Sequence, residues 1–172
     1  MKIKPEKKLV TALVAVGANL PSAQGSPLSA CQEAAGVLKQ VAGVEDIQVS
    51  SWYESAPVPP SGQPHYVNGV IRLLTTLGYY ELLHVLQGVE QDFGRQRSVA
   101  NAARKLDLDI IAYGDLCQDD PVLILPHPRA HERAFVMMPL CDVAPDWVHP
   151  VSGVGIKKLV QQVSEQEIRR IV

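Results

Sequence analysis

Two acidic residues, Asp107 and Asp109, alternate with apolar residues in the stretch 106–113. Such alternation predicts a β-strand, in which side chains at i and i+2 project from one face, ~6.5 to 7 Å apart along the backbone. Leu108 and Ile110 would face the other way, into apolar packing that holds the strand rigid. The carboxylates can then share a hard cation, and their oxygen ligands suit magnesium better than zinc. The spacing fits two solvated carboxylates on an exposed face equally well.

Arginines precede this strand. Arg95 and Arg97 repeat the i, i+2 spacing just past a predicted helix, and Arg104 stands three residues before Asp107. The planar guanidinium fork matches phosphate oxygens in a bidentate manner, so arginines beside paired carboxylates indicate a site for a nucleotide with magnesium. Surface arginines paired with nearby acids are the alternative, since exposed ion pairs are frequent and contribute little energy.

A proline-bounded turn at 125–135 brings a histidine and an arginine together. His127 lies between two prolines, and Arg133 follows it within the same turn. Histidine can donate a hydrogen bond to phosphate, although a lone histidine is more often structural. We interpret His127 as a phosphate-binding candidate and His131 as structural.

Two other pairs have open interpretations. Tyr66 and Asn68 share one face of a predicted strand, where an aromatic ring can stack on a flat ligand while an amide reads its edge. Ordinary strand packing explains that pair equally simply. Gln87 and Glu90 stand at i and i+3 on a predicted helix, and they either reach the site or face water.

The order of predicted elements indicates the fold. It is β-α-β-β-α-β followed by a helix, typical of an α+β ferredoxin-like sandwich in which helices cover one face of a mainly antiparallel sheet and leave the other face for a site. Proline and glycine in 57–64 interrupt regular structure there. The predicted strands cover 9–16, 47–53, 66–74 and 106–113, and the predicted helices cover 27–40, 79–93 and about 156–163.

Composition narrows the classes of function. A chain of 172 residues, 47% hydrophobic and 20% charged, predicts one domain over 1–172, with a lysine-rich start (1–8) that is free to be disordered. A net charge of -2 and 5% aromatic residues disfavour nucleic-acid and membrane binding. Three cysteines without a CxxC spacing predict neither disulfides nor a zinc site. No signal-peptide pattern or membrane span is found, so we expect a cytoplasmic protein.

The motifs, taken together, resemble the 6-hydroxymethyl-7,8-dihydropterin pyrophosphokinase family. The matching stretches, in order between residues 12 and 150, are GANL at 17–20, SWYES at 51–55, QPHYVN at 63–68, QGVE at 87–90, GRQR at 94–97, RKLDLD at 104–109, LPHP at 125–128 and RAF at 133–135. The resemblance implies transfer of pyrophosphate from ATP to the pterin hydroxymethyl oxygen, giving AMP and a pterin diphosphate. It also implies a monomer whose partners are these two small molecules.

The resemblance assigns roles to individual residues. Two magnesium ions would be held by Asp107 and Asp109, and Arg95 and Arg97 would assist the catalytic step. The nucleotide would be bound by Gln87, Glu90, Arg97, Arg104, Ile110, His127 and Arg133. The pterin would lie between Tyr66 and Phe135, with Asn68 reading its edge and the backbone at Ser55, Ala56 and Val58 closing the pocket. Mobile loops would be 55–63 and 98–103.

One stretch departs from the family pattern. A Trp-Gly-Pro-Arg sequence is replaced by Asn-Ala-Ala-Arg at 101–104, which lacks the stacking tryptophan. The change bears on loop closure and turnover rather than on the metal ligands. A non-catalytic pterin or nucleotide sensor on the same fold is the competing hypothesis.

Overall fold

The computed structural model describes residues 6–94 and 105–172, and Arg95, Arg97, Arg104 and the predicted loop 98–103 lie outside this part. The described chain forms a mainly antiparallel sheet with helices packed against it, which confirms the α+β ferredoxin-like prediction. The strands are β1 (Val10–Ala18), β2 (Val44–Val49), β3 (Tyr53–Ser55), β4 (Tyr66–Thr75), β5 (Asp107–Tyr113), β6 (Gln118–Asp119), β7 (Ile124–Leu125) and β8 (Ile168–Arg170). The helices are α1 (Pro27–Lys39), α2 (Tyr79–Asp92), α3 (Ala134–Val143) and α4 (Ile156–Gln162).

Strand order places the long strands at the centre. The main sheet runs β5-β1-β4-β3-β8, with β2 paired to the other end of β4, while β6 and β7 form a separate hairpin. All of these pairings are antiparallel. Among the described residues, β5 is the last strand of the main sheet. Its outer edge therefore pairs with no strand of that sheet and faces the separate β6–β7 hairpin.

The two faces of the sheet carry separate apolar cores. Along β1, Ala12, Val14 and Val16 belong to one core, whereas Leu13 and Ala15 belong to the other. This division follows from the two-residue period of a strand, which sends alternate side chains to opposite faces.

Helices α1 and α2 cover the first face. Ser26 caps α1, since its Oγ accepts a hydrogen bond from the Ser29 N–H at 3.2 Å, and a proline occupies the first turn. At the start of α2, the Glu81 side chain accepts a hydrogen bond from the Gly78 N–H at 3.3 Å, as the glutamate of a capping box does. Both helices therefore begin within a residue of their predicted starts.

The prediction left the second face of the sheet uncovered for a site, but two helices cover part of that face. Helix α3 forms in a stretch for which no helix was predicted, and it packs with α4 on the second core. Since α3 is apolar nearly all round, its sequence has no polar face to reveal a helical period. The chain also continues past α4 into β8, which pairs with β3.

The predicted second strand is divided into β2 and β3. Between them, the Ser50 hydroxyl accepts a hydrogen bond from the Val70 N–H at 2.9 Å, in place of a regular ladder contact. Trp52 packs over Gly69, where an added Cβ would lie 2.6 Å from the indole ring. Glycine is therefore required at this crossing of β4.

No helix in the described ranges has the length and apolar character needed to cross a bilayer. The three cysteines are all free thiols, and burial raises the pKa of Cys31 to about 12.

Candidate active site

A cavity of about 210 Å³ lies on the second face of the sheet, in the part that α3 leaves uncovered. We call it the central cavity. Its walls come from strands β1, β3, β4 and β5, from the loop after β3 and from the start of α3. The lining side chains with polar or aromatic groups are Ser55, Ser61, Gln63, Tyr66, Asn68, Asp107, Asp109, His127, Arg133 and Phe135.

Strand register brings distant residues together here. Gly17 on β1 pairs with Asn68 on β4 and with Asp107 on β5, and Ala15 pairs with Asp109. Small residues on β1 therefore separate the amide from the carboxylates and leave space above the strand. The carboxylates face this space, while Leu108 and Ile110 are buried in the opposite core, as the alternation predicted.

Asn68 is fixed in orientation. It is only 4% exposed, and its Nδ2 donates a hydrogen bond to Ser55 Oγ at 2.8 Å. The Asn68 Oδ1 atom lies next to Gly17, and a Cβ atom added to Gly17 would be 3.5 Å from it. The amide oxygen is thus held beside the cavity floor, where it can accept a hydrogen bond from a ring N–H.

A second depression, which we call the edge groove, runs along the outer edge of β5. It has a volume of about 610 Å³ and lies between α2 and the β6–β7 hairpin. Leu83, Leu108, Ile110 and residues 119–124 contribute to its walls. Asp109 and His127 line both the edge groove and the central cavity. The two spaces therefore meet at a carboxylate and an imidazole.

The imidazole at this junction is held in place by backbone contacts. The His127 N–H donates to the Ile111 carbonyl on β5 at 2.8 Å, and its Nδ1 accepts from the Arg129 N–H at 3.1 Å. The neutral ring therefore carries its proton on Nε2. Burial lowers the pKa of His127, the Arg133 guanidinium lowers it further, and the Asp107 carboxylate opposes both effects.

The start of α3 positions an aromatic ring and a cation on one side of the cavity. The Arg133 guanidinium carbon lies 5.6 Å from the centre of the Phe135 ring. Gln166 holds this turn, because its Oε1 accepts from the Ala134 N–H at 2.8 Å and its Nε2 donates to the Glu132 carbonyl at 2.7 Å. A flat ligand can therefore meet an aromatic face next to a positive charge.

Comparison with known proteins decides the family. Residues 13–145 match the family described as 7,8-dihydro-6-hydroxymethylpterin-pyrophosphokinase. The chain belongs to this pterin pyrophosphokinase family. The pyrophosphokinase of Synechocystis sp. is 43% identical over 152 residues, which cover 88% of this chain and 75% of that protein. The Haemophilus influenzae enzyme of the same name is 35% identical over 163 residues, or 95% and 99% of the two chains.

The fold is also that of solved family structures. A crystal structure of wild-type HPPK-DHPS from Plasmodium falciparum with pteroate superposes with a TM-score of 0.70 at 14% identity. The match covers 98% of this chain and 47% of that one, so this chain spans less than half of the Plasmodium protein.

The structure brings the family's expected pterin residues together. Ser55, Ala56, Val58, Tyr66, Asn68 and Phe135 all line the central cavity. Asp107, Asp109, His127 and Arg133 join them there, and Ile110 lines the edge groove. The proposed contact roles of these residues stay predictions, as do those of Arg95, Arg97 and Arg104 outside the described part.

Gln87 and Glu90 are placed elsewhere. Neither lines the central cavity or the edge groove among the described residues. Glu90 does not face water, since it is 2% exposed and its Oε1 accepts from the Leu108 N–H at 3.4 Å. Glu90 therefore links α2 to β5, the strand that carries both carboxylates.

Several functional positions were missed by the sequence reasoning. No element was predicted for the groove-forming hairpin at 118–125, and Gln166 was not considered. Asn19 and Gln63 were within recognised motifs but had no assigned role. Their motif membership was the available signal, and their contact became evident only in the fold.

Proposed function

We propose that this chain catalyses magnesium-dependent transfer of a pyrophosphoryl group from ATP to the hydroxymethyl oxygen of 6-hydroxymethyl-7,8-dihydropterin. The products would be AMP and the pterin diphosphate. Family membership makes the chain a pyrophosphokinase of folate biosynthesis. The choice of substrates, metal and contact residues is the part proposed.

One observation carries the proposal: the central cavity and the edge groove, whose linings differ, share Asp109 and His127. The central cavity offers aromatic side chains and a fixed amide, which suit a flat heterocycle. The edge groove offers apolar side chains, those of Leu83 and 122–124, which suit a nucleotide base. A phosphate chain joining the two ligands would lie at the junction.

The carboxylate pair on β5 fits magnesium. Asp107 and Asp109 supply carboxylate oxygens from one strand face, and no group of three or more histidine, cysteine or acidic side chains competes among the described residues. When bound, magnesium ions neutralise charge on the ATP phosphates and align the transferred group. The two carboxylates would hold the ions, and the rigid β5 would keep both oxygens in register with Gly17 and Ala15.

The other side chains supply binding and orientation. His127 and Arg133 would contact phosphate oxygens, and Tyr66 and Phe135 would stack on the pterin ring. Asn68 Oδ1 would accept from the ring edge, which fixes the hydroxymethyl group toward the junction. Phosphoryl transfer needs positioning and charge neutralisation rather than a protein nucleophile, so the reaction requires no serine or cysteine here.

The loop after β3 would exclude water. Residues 56–59 form one side of the central cavity, and Val58 is 67% exposed on this loop. An apolar side chain at that position can close over a bound ring. We further propose that the enzyme acts in the cytoplasm as a monomer.

The test is AMP release from ATP and magnesium, with and without 6-hydroxymethyl-7,8-dihydropterin, followed by mass analysis of the pterin. We expect AMP only with the pterin, together with a diphosphate ester. Pterin binding without AMP would favour the non-catalytic sensor. If neither ligand binds, the proposal is wrong.

A further inference from the structure

Asn19 is a buried polar residue that the mechanism does not use. It follows the end of β1 and is only 1% exposed, although asparagine is usually found at the surface. Its Nδ2 donates to Gln63 Oε1 and to the Pro64 carbonyl, both at 3.1 Å. These contacts join two parts of the chain that are 44 and 45 residues apart in sequence.

Both acceptors lie at the end of the loop that walls the central cavity. Residues 56–59, 61 and 63 of this loop line the cavity, whereas Asn19 does not. The loop contains four prolines, which have no N–H with which to anchor the backbone: Pro57, Pro59, Pro60 and Pro64. Both ends of the loop are held by the β3–β4 ladder, in which Ser55 pairs with Tyr66. Within the loop, the Asn19 contacts tie Gln63 and Pro64 to the end of β1.

We propose that Asn19 is a positioning residue for the pterin site, which sets the cavity-facing conformation of residues 56–64 without touching the substrate. The inference rests on the proposed function. The edge groove is built from α2, β5 and the β6–β7 hairpin, and Asn19 lies outside its walls. Loss of the Asn19 contacts should therefore weaken pterin binding and leave ATP binding unchanged.

The perturbation is Asn19→Ala, which removes both donated hydrogen bonds. We expect the KM for 6-hydroxymethyl-7,8-dihydropterin to rise about tenfold, because a neutral buried hydrogen bond contributes roughly 0.5–1.5 kcal/mol and tenfold corresponds to about 1.4 kcal/mol. The KM for ATP should stay within about twofold. Asn19→Asp should behave similarly, because a carboxylate has no N–H to donate to the two acceptors.

Thr75→Val is the matched control. Thr75 is fully buried at the opposite end of the β1–β4 pair, and its Oγ1 donates to the Gly43 carbonyl at 2.6 Å. This variant also loses a buried hydrogen bond, but far from the cavity. It should lower stability without changing the ratio of the two KM values. An equal rise in both KM values for Asn19→Ala would overturn the inference.

Hydrogen exchange on the protein without substrates provides a second readout. Peptides covering 56–64 should exchange faster in Asn19→Ala than in the wild type or Thr75→Val, and unchanged exchange would overturn the inference. If Asn19→Ala does not fold, Asn19→Ser takes its place in both measurements. A wild-type protein that makes no pterin diphosphate would refute the proposed function, while the exchange result would still decide the role of Asn19.

Discussion

The two carboxylates of β5 should not be equivalent, because their surroundings differ. Asp109 lines both the central cavity and the edge groove, whereas Asp107 lines the central cavity. We therefore compare Asp107→Asn with Asp109→Asn, which preserve side-chain shape and remove one negative charge. Both should fold, since the two side chains lie in partly exposed positions on a strand otherwise held by Leu108 and Ile110.

Each substitution should reduce kcat/KM by about 10² to 10³, or roughly 3–4 kcal/mol, the range found when one preorganised group that stabilises transition-state charge is removed. The position of Asp109 at the junction adds a second expectation. Binding of ATP with magnesium in the absence of pterin should weaken more in Asp109→Asn than in Asp107→Asn. Asp107→Asn should mainly affect turnover.

The assays are pterin-dependent AMP release for turnover and calorimetric titration with magnesium-ATP for binding, with thermal unfolding as a check on folding. Asp46→Asn is a matched control, because Asp46 is exposed on β2 and lines neither the central cavity nor the edge groove. Retained turnover in both β5 variants would refute the metal-site reasoning. Equal loss of magnesium-ATP binding in the two variants would refute the distinction between them.

Three other predictions follow from individual contacts. Burial and Arg133 lower the pKa of His127, so its ring is neutral at neutral pH, and a bound phosphate chain should raise this pKa. ATP binding should then take up protons and tighten as pH falls from about 8 to 6. Calorimetry in buffers of different ionisation enthalpy measures the uptake, which must shrink in His127→Gln. Phe135→Ala should raise the pterin KM roughly tenfold through lost stacking while leaving the ATP KM unchanged, and an unaltered pterin KM would contradict the ring's role. Tyr53→Phe removes a hydrogen bond to Asp142 of 2.8 Å from a side chain that is 5% exposed, and should lower the free energy of unfolding by about 1–2 kcal/mol. Urea unfolding measures this, and a change below about 0.3 kcal/mol would contradict it.

Local patterns were sufficient for the elements that carry most of the site. Alternation in 106–113 predicted a strand with both carboxylates on one face, and the structure has Leu108 and Ile110 in the opposite core. The predicted helices 27–40 and 79–93 agree to within one residue at each end with α1 and α2. These features depend on neighbours within a few residues, which the sequence displays directly.

Other features had no local signal. Helix α3 is apolar on nearly every side, so its period was hidden, and β8 gains its strand character from pairing with β3. Glu90 was left between reaching the site and facing water, and the fold contradicts the second alternative, because it buries the side chain against the Leu108 N–H. Each of these outcomes depends on a surface supplied by a distant part of the chain.

The sequence by itself determined the family, the α+β order of elements and the face on which the carboxylates project. Only the tertiary structure decided that Asp109 and His127 form the junction of two spaces, and that Asn19 holds the loop at Gln63 and Pro64. The physical reason is the range of the interactions. Strand and helix periods are set by adjacent residues, whereas cavity walls and buried polar contacts arise when β1, β4 and β5 pair across long stretches of chain.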